Sequence, residues 1–120
     1  KKDMIQMVDD DEVENVGIMA GFMDDFDDVL EEVLSKHQPN VVYIDGNHTY
    51  EATLKYFQII LKYPCVDLII FDDIHWSKGM LKAWNKIIKN PEFHVSVNIF
   101  QLGLLYRRKE QKKEDFIVRF

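Results

Sequence analysis

The sequence predicts an α/β domain, and two kinds of pattern indicate it. Two short runs, Val41–Ile44 and 67–71, are almost entirely apolar and do not alternate, as expected of strands buried on both faces of a sheet. Segments with apolar residues at helical spacing precede, separate and follow these runs. Strands that alternate with helices form parallel sheets covered by helices, so we expect that arrangement here.

Three helices are predicted. The first has its apolar residues three and four positions apart and stops before Pro39. These residues are Phe22, Phe26, Val29, Leu30, Val33 and Leu34. The second helix begins near His48 or Thr49, and Ser77 caps the third, which Pro91 ends. The inner faces of these two helices are formed by Tyr50, Leu54, Phe57, Ile60 and Leu61 and by Met80, Trp84, Ile87 and Ile88.

The last third of the chain predicts antiparallel strands. Residues 94–100 alternate between apolar and polar side chains, and a second, apolar segment follows at 102–106. The tripeptide 101–103 is suited to a tight turn, so the two segments are expected to form a hairpin. Residues 116–120 predict one more short strand, at either edge of the sheet.

Length and composition predict a single domain that spans residues 1–120. The chain of 120 residues is 47% hydrophobic, which is enough to bury a core. Its 15 basic and 21 acidic residues give a net charge of −6. Binding to phosphate backbones needs clustered Lys and Arg, so we expect no nucleic-acid partner. No apolar run is long enough to cross a bilayer, and the single Cys65 fits a reducing compartment. We therefore expect a cytoplasmic domain with no membrane partner.

Acidic residues follow both apolar strands at the point where each ends. Asp45 comes after the first strand, and Asp72 and Asp73 come after the second. If the two strands are neighbours, the three carboxylates lie over one rim of the sheet, together with His48 and His75. The carboxylates would repel one another unless a divalent cation or shared protons compensate. Oxygen ligands suit Mg²⁺, Ca²⁺ or Mn²⁺.

A simpler interpretation of the same residues stays open. An Asp at the end of a strand is often only a turn or cap residue, and the pair Asp45-Gly46 fits a turn. A histidine near a strand end, such as His75, is often a hydrogen-bonded part of the scaffold, and Trp76 beside a helix start is often a packing residue. Two acidic strand ends, one of them doubled, leave the ligand and the structural interpretations as equal alternatives.

Two motifs carry a resemblance to a known family. They are Val42-Tyr43-Ile44-Asp45-Gly46-Asn47-His48-Thr49-Tyr50-Glu51-Ala52-Thr53 and Ile69-Ile70-Phe71-Asp72-Asp73-Ile74-His75-Trp76-Ser77. Together they resemble class I S-adenosylmethionine-dependent methyltransferases, in particular a small bacterial branch with these two strand ends. Residues 17–21 resemble that family's third strand and the turn after it, and residues 100–111 resemble its closing strands. The resemblance covers about residues 16–120.

The resemblance implies a partial Rossmann-like methyltransferase sheet, with parallel strands, flanking helices and an antiparallel C-terminal hairpin. S-adenosylmethionine lies over the first, second and fourth strands of such a sheet. Val41–Ile44 would be the fourth strand and residues 67–71 the fifth. The cofactor-binding candidates are then Gly21, Phe22 and Asp45.

The resemblance also implies a metal. In metal-dependent relatives that methylate hydroxyl groups, acids at these two strand ends hold a divalent cation such as Mg²⁺. That cation orients the acceptor oxygen and lowers its pKa while the methyl group transfers in line from sulfur. Asp45, Asp72 and Asp73 are then the metal ligands, and His48 or His75 is the catalytic base. The substrate would be a small-molecule acceptor.

The chain lacks two features of this family. It has no Gly-x-Gly-x-x-Gly loop, and it has no acidic residue after a second strand to bind the ribose of the cofactor. We therefore expect the C-terminal portion of a methyltransferase, which by itself binds the cofactor weakly or not at all. The alternative is a non-catalytic remnant domain that acts as a scaffold or oligomerisation unit. A metal-binding phosphatase or receiver-like domain ranks last, because it needs a Lys at a later strand end.

The missing strands also predict self-association. In the family the first strand pairs with the fourth, so Val41–Ile44 would be an unpaired apolar edge in this chain. Such edges pair readily with other chains. We therefore expect a homo-oligomer that covers residues 41–45.

Overall fold

The structure of the chain is a computed structural model. It describes residues 4–8, 16–20, 26–45, 49–108 and 110–119, and for 4–8, 16–20 and 26–29 it describes the backbone alone. Within these ranges it contains seven strands and three helices. In chain order they are β1 (Met4–Val8), β2 (Val16–Ala20), α1 (Phe26–His37), β3 (Val41–Ile44), α2 (Tyr50–Leu61), β4 (Leu68–Asp72), α3 (Lys78–Ile87), β5 (Val95–Asn98), β6 (Leu102–Tyr106) and β7 (Glu114–Ile117).

The strands form one mixed sheet with the order β1-β2-β3-β4-β6-β5-β7. Strands β2, β3 and β4 are parallel neighbours, and β7 is parallel to β5. Strand β6 is antiparallel to β4 on one side and to β5 on the other, and β1 is antiparallel to β2. The α/β class and the C-terminal hairpin are thus confirmed, whereas the sheet also contains an antiparallel pair at its β1 end.

Local sequence signals set the bounds of the helices. Thr49 and Ser77 have extended backbones, and their hydroxyl oxygens accept the N–H groups of Ala52 and Met80, at 3.2 and 3.1 Å. Helix α1 ends two residues before Pro39. The end of α1 and the starts of α2 and α3 confirm the sequence prediction, whereas α3 ends at Ile87, before the predicted end at Pro91, and Phe22 of the first predicted helix lies outside the described residues. Among the residues that the structure describes, no helix is long and apolar enough to span a membrane.

All three helices cover the same face of the sheet. The connections β2-α1-β3 and β3-α2-β4 proceed in one direction across the sheet, and right-handed crossovers then place both helices on one side. Helix α2 packs between α1 and α3. The strand residues that face the helices are buried, and they are Val42, Ile44, Ile69, Phe71 and Leu105. Their partners in the core include Leu30, Leu34, Phe57, Ile60 and Trp84.

Gly103 lies within β6 and not in the hairpin turn, so the prediction of a turn at residues 101–103 is wrong. The chain turns at residues 99–101 instead. A Cβ atom at Gly103 would lie only 2.6 Å from Cζ3 of Trp84 on α3. The absence of a side chain therefore lets the indole pack directly on the sheet, which is the physical reason for a glycine inside this strand.

The prediction that Val41–Ile44 forms an open edge is also wrong. This strand is β3, and it pairs with β2 on one side and with β4 on the other. Strand β2, which resembles a third strand in sequence, occupies the place beside β3 that the resemblance gives to the first strand. The physical reason for expecting a homo-oligomer that covers residues 41–45 therefore no longer holds, because the strand already has neighbours on both sides.

Two further strands differ from the sequence prediction. Strand β1 has no counterpart in it. Strand β7 comprises Glu114–Ile117 rather than residues 116–120, and it lies at the edge of the sheet beside β5. Its side chains are exposed, so it offers no buried apolar pattern from which its bounds could be read.

Candidate metal centre and adjoining pocket

Three carboxylates come together at the rim of the sheet where β3 and β4 end. The two strands are parallel neighbours and are in register at these ends. Asp45 follows β3 directly, Asp72 is the last residue of β4, and Asp73 comes next. One oxygen atom from each carboxylate lies within 4.8 Å of the other two. The structure therefore brings together the residues predicted as metal ligands, which we call the carboxylate cluster.

The carboxylate cluster lies towards the face of the sheet opposite the helices. Successive side chains of a strand point to opposite faces, and Ile44 and Phe71 are buried against the helices. Tyr43 and Asp72 therefore point to the other face, where the described part of the chain places no helix. Tyr43 lies close enough to Asp72 there for the charge of Asp72 to raise the pKa of Tyr43.

Burial and mutual repulsion disfavour the ionised forms of Asp72 and Tyr43. Burial is the largest of the effects that raise the pKa of Asp72 to about 6, and a hydrogen bond with Asp45 and the negative charge of Asp73 act in the same direction. Burial also raises the pKa of Tyr43 to about 12, and the negative charges of Asp72 and Asp45 add to this effect. Without a cation, Asp72 is therefore half protonated near pH 6, and the proton relieves the repulsion.

The donor set fits a hard divalent cation. Carboxylate oxygens are the preferred protein ligands of Mg²⁺, Mn²⁺ and Ca²⁺, and an ion held by three of them keeps positions for water or for an acceptor oxygen. A cation would also displace the proton that Asp72 otherwise holds. The convergence of the oxygens and the shared proton are both consistent with a cation site, although the role of these residues as ligands stays a prediction.

Asp73 connects the carboxylate cluster to the turn between β5 and β6. Its φ of 55° lies in the left-handed region, which Asp tolerates better than most residues. Its backbone N–H donates to the carbonyl of Gln101, at 2.7 Å. The chain therefore leaves β4 through a residue whose backbone is tied to the neighbouring turn, and this tie helps to position the third carboxylate.

His75 uses one ring nitrogen in a contact with Asn98, and this contact defines which nitrogen carries the proton. Its Nε2 lies 3.3 Å from Oδ1 of Asn98, and the same oxygen accepts the backbone N–H of Phe100, at 2.9 Å. An oxygen that accepts a backbone N–H is correctly placed as the amide oxygen, so Nε2 of His75 must carry the proton that it shares with Asn98. In the neutral ring, Nδ1 is then the basic nitrogen.

A pocket of about 700 Å³ adjoins His75 at the same rim of the sheet. Residues 98–101 and 117–119 form the rest of its lining. These segments follow the carboxyl ends of β5 and β7, which run in the same direction as β4. Of these lining residues, only His75 is predicted from the sequence as a site residue. The alternating pattern of residues 94–100 predicts a strand, but it reveals neither that the strand ends at Asn98 nor that this end lies beside His75.

Three predicted site residues, Gly21, Phe22 and His48, lie outside the described residues, and their roles stay predictions. Asp45 is the one described residue predicted to bind S-adenosylmethionine, and it lies in the carboxylate cluster. The glycines in the described ranges are Gly17 in β2, Gly79 in α3 and Gly103 in β6. The described residues therefore do not include a glycine-rich loop that could approach that cofactor closely.

The phosphoryl-transfer alternative needs a Lys at the end of a later strand. The described strands after β4 end at Asn98, Tyr106 and Ile117. None of these strand ends supplies the required residue, so the described geometry gives this alternative no support.

Comparisons with known proteins add no family assignment. A scan against protein-family models, a search of curated proteins and a search of solved structures each find no match for this chain. The interpretation of function therefore depends on the motifs and on the geometry of the rim.

Proposed function

We propose that the chain is the C-terminal portion of a class I S-adenosylmethionine-dependent methyltransferase whose carboxylate cluster holds a divalent cation. The observation that carries this proposal is the convergence of Asp45, Asp72 and Asp73 at the ends of two adjacent parallel strands. The motifs that contain these residues are the ones that resemble the family. The substrate would be a hydroxyl group of a small-molecule acceptor.

The sheet supports a partial Rossmann-like methyltransferase fold. Parallel strands β2, β3 and β4 alternate with helices, and an antiparallel hairpin follows, which agrees with the arrangement that the resemblance implies. Ligands of open parallel sheets bind beyond the carboxyl ends of the strands, and the carboxylate cluster and the pocket both lie there. Strand β2 is not part of the proposal as a third strand, because it lies directly beside β3.

Three described side chains have roles in the proposed chemistry. When bound, Mg²⁺ or Mn²⁺ supplies Lewis acidity that lowers the pKa of an acceptor hydroxyl. Asp72 would hold the ion as an ionised carboxylate, and the neighbouring hydroxyl of Tyr43 would help to orient that carboxylate. His75, two residues after Asp73, offers Nδ1 to take the proton of the hydroxyl group.

The sequence lacks the loop that usually binds S-adenosylmethionine in this family. The sequence has no glycine-rich loop, and the described cofactor candidate, Asp45, contributes to the carboxylate cluster. The described residues therefore support the proposal for the cation and the acceptor but not for the methyl donor. We expect the chain alone to bind S-adenosylmethionine weakly or not at all.

Calorimetric titration with Mg²⁺ and Mn²⁺ tests the cation site. We expect saturable binding that Asp45→Asn and Asp72→Asn each weaken by about tenfold or more. Asp67→Asn is the matched control, because Asp67 precedes β4 at the opposite end of the same strand and should not affect affinity. Cation binding that survives both cluster substitutions would contradict the proposal.

A second titration separates the proposed function from its alternative. S-adenosylmethionine and S-adenosylhomocysteine are added with and without Mg²⁺. Micromolar binding of either would mean that the chain, or a second copy of it, rebuilds a cofactor site, and the enzymatic interpretation would hold for the chain itself. If neither the cofactor nor the cation binds, the non-catalytic remnant domain is the better description.

A further inference from the structure

The pocket beside His75 has apolar walls and a mouth of exposed hydrophobic side chains. Ile99 and Val118 line it, and Phe100 and Ile117, which also line it, have 64% and 67% of their surface exposed. Large apolar side chains that stay exposed around a cavity are typical of binding sites. A volume of about 700 Å³ suits a small organic molecule.

The turn that presents Phe100 is fixed in an unfavourable backbone conformation. The φ of Phe100 is 70°, in the left-handed region that bulky side chains avoid. Its N–H donates to Oδ1 of Asn98, and the N–H of Gln101 donates to the carbonyl of Ile99, both at 2.9 Å. Gln101 in turn accepts from Asp73. Backbone conformations of this kind persist where the surroundings impose them, and they are concentrated at ligand sites.

One face of the Phe100 ring stacks on the ring of His75. The two ring centroids are 4.8 Å apart, and the ring planes differ by 12°. Because His75 covers one face of Phe100, its large exposed fraction must come from the other face and from the edge. A planar ring in the pocket would therefore extend an existing stack of two rings.

The charged part of the lining is cationic. Arg119 lines the pocket, and the described lining contains no Asp or Glu. The remaining polar groups are the amides of Asn98 and Gln101 and the imidazole of His75. A guanidinium group binds carboxylates through two parallel hydrogen bonds, so an acidic substituent on a ligand would find its partner at Arg119.

From these features we propose that the pocket binds a planar aromatic carboxylic acid, with its ring stacked on the open face of Phe100 and its carboxylate paired with Arg119. Stacking on Phe100 favours a ligand with a planar ring, and the cationic lining favours a ligand with an acidic group. The pocket lies next to Asp73 and His75, so this ligand would be the methyl acceptor. That identification rests on the proposed function. The binding itself does not depend on that function.

Titration of the full chain with cinnamate, followed by backbone amide NMR, tests the proposal directly. We expect saturable shifts confined to residues 98–101 and 117–119 and to His75. Cyclohexanepropionate, an acid of similar length without a planar ring, should bind about tenfold more weakly. Cinnamyl alcohol keeps the ring and lacks the acid, so it isolates the contribution of Arg119.

Phe100→Gly is the informative variant, because it removes the ring and keeps the turn. Glycine adopts a φ of 70° without strain, so the variant should fold at least as well as the unsubstituted chain. Its affinity for cinnamate should fall by about tenfold. Arg119→Gln should weaken cinnamate and leave cinnamyl alcohol unchanged. Trp76→Ala is the control, since Trp76 is an exposed aromatic residue outside the pocket lining and should alter neither affinity.

Several outcomes would overturn the proposal. These are the absence of saturable shifts, equal binding of cinnamate and cyclohexanepropionate, or unchanged affinity in Phe100→Gly. Concentration-dependent self-association that Ile117→Asp abolishes, without cinnamate binding, would instead assign the exposed residues to a protein contact. Cinnamate binding in a chain that binds no cation would confirm the pocket and contradict the proposed function, so the two failures are distinguishable.

Discussion

Tyr43 of β3 and Asp72 of β4 interact electrostatically across these neighbouring strands, and the negative charge of Asp72 helps to keep the phenol protonated. Burial raises both pKa values, to about 12 for Tyr43 and to about 6 for Asp72. A tyrosine with so high a pKa stays protonated and is a permanent donor. The contact therefore orients Asp72 within the carboxylate cluster without adding charge to a region that is already strongly acidic.

Replacement of Asp72 by Asn should stabilise the chain near neutral pH when divalent cations are absent. The pKa of Asp72 is about 6 in the folded chain, against an ordinary value of 3.8, so the folded state binds this proton more tightly than the unfolded state does. The stability that this proton contributes is present at acidic pH and is lost as the pH rises through about 4 to 6. At neutral pH, Asp72→Asn should therefore raise Tm by about 3–6 °C, for about 1 kcal/mol after solvent screening.

Thermal unfolding at neutral pH and at about pH 4 checks this expectation, because the difference should disappear at the lower pH. Added Mg²⁺ should raise the Tm of the unsubstituted chain and leave that of Asp72→Asn unchanged. Asp67→Asn, at the other end of β4, controls for the loss of one negative charge. A lower Tm for Asp72→Asn at neutral pH without cations would show that ionised Asp72 does not destabilise the fold.

Tyr43→Phe should weaken cation binding and leave the fold intact. The substitution keeps the ring on the sheet and removes the hydroxyl that interacts with Asp72, so the ionised form of Asp72 loses a neighbouring donor group. We expect the affinity for Mg²⁺ near neutral pH to fall about fivefold in calorimetric titration. Tyr106→Phe is the matched control, because Tyr106 pairs with Leu68 at the opposite end of β4. Equal affinities of Tyr43→Phe and the unsubstituted chain for Mg²⁺ would show that Tyr43 does not contribute to cation binding.

Gly103→Ala should destabilise the chain by about 1–3 kcal/mol, because the new Cβ would overlap the indole of a buried tryptophan. That Cβ would lie 2.6 Å from Cζ3 of Trp84, which is only 2% exposed and has no space into which to move. Urea unfolding measures the effect as a lower midpoint. Gly79→Ala provides the contrast: its Cβ would have 3.6 Å to the nearest atom, so helix propensity should stabilise it by about 0.5–1 kcal/mol. Equal midpoints for the two variants would contradict the close contact at Gly103.

Features with local signals were predictable from the sequence. Thr49 and Ser77 begin helices because a hydroxyl beside the first turn accepts a free N–H, and this depends only on neighbouring residues. The apolar run predicts that Val41–Ile44 is a strand, and it is, but only Val42 and Ile44 are buried, so the expected burial on both faces is wrong. The meeting of the three carboxylates required one further assumption, that this strand and β4 are neighbours, and they are.

Features that depend on distant parts of the chain were not predictable. Nothing in residues 16–20 specifies that they pair with β3, so the supposed open edge could not be recognised as covered. Gly103 resembles a turn residue until Trp84 is known to lie against it. A left-handed Phe100 has no sequence signal, because glycine is the usual residue there and the stacking partner His75 comes from another loop.

The contact between helix α1 and the end of α2 predicts a pH dependence opposite to that of Asp72. Hydrogen bonds from Lys62 and from the hydroxyl of Tyr63 hold the pKa of Glu31 below its usual value. A lowered carboxyl pKa contributes stability above the unfolded-state pKa, and that contribution is lost as the pH falls through the folded-state pKa. Glu31→Gln should therefore lower Tm at neutral pH and have no effect at a pH below the folded-state value.

The change in Tm for Glu31→Gln should be small and should shrink in high salt, because the side chains of Glu31 and Lys62 are substantially exposed. Glu32→Gln is the matched control: it removes the same charge from the next position of α1, on an exposed side chain, and should leave Tm unchanged. Thermal unfolding of both variants at low and high salt, at neutral and acidic pH, separates charge from packing. If Glu31→Gln lowers Tm equally under all four conditions, Glu31 contributes through its packing against Tyr63 and not through its charge.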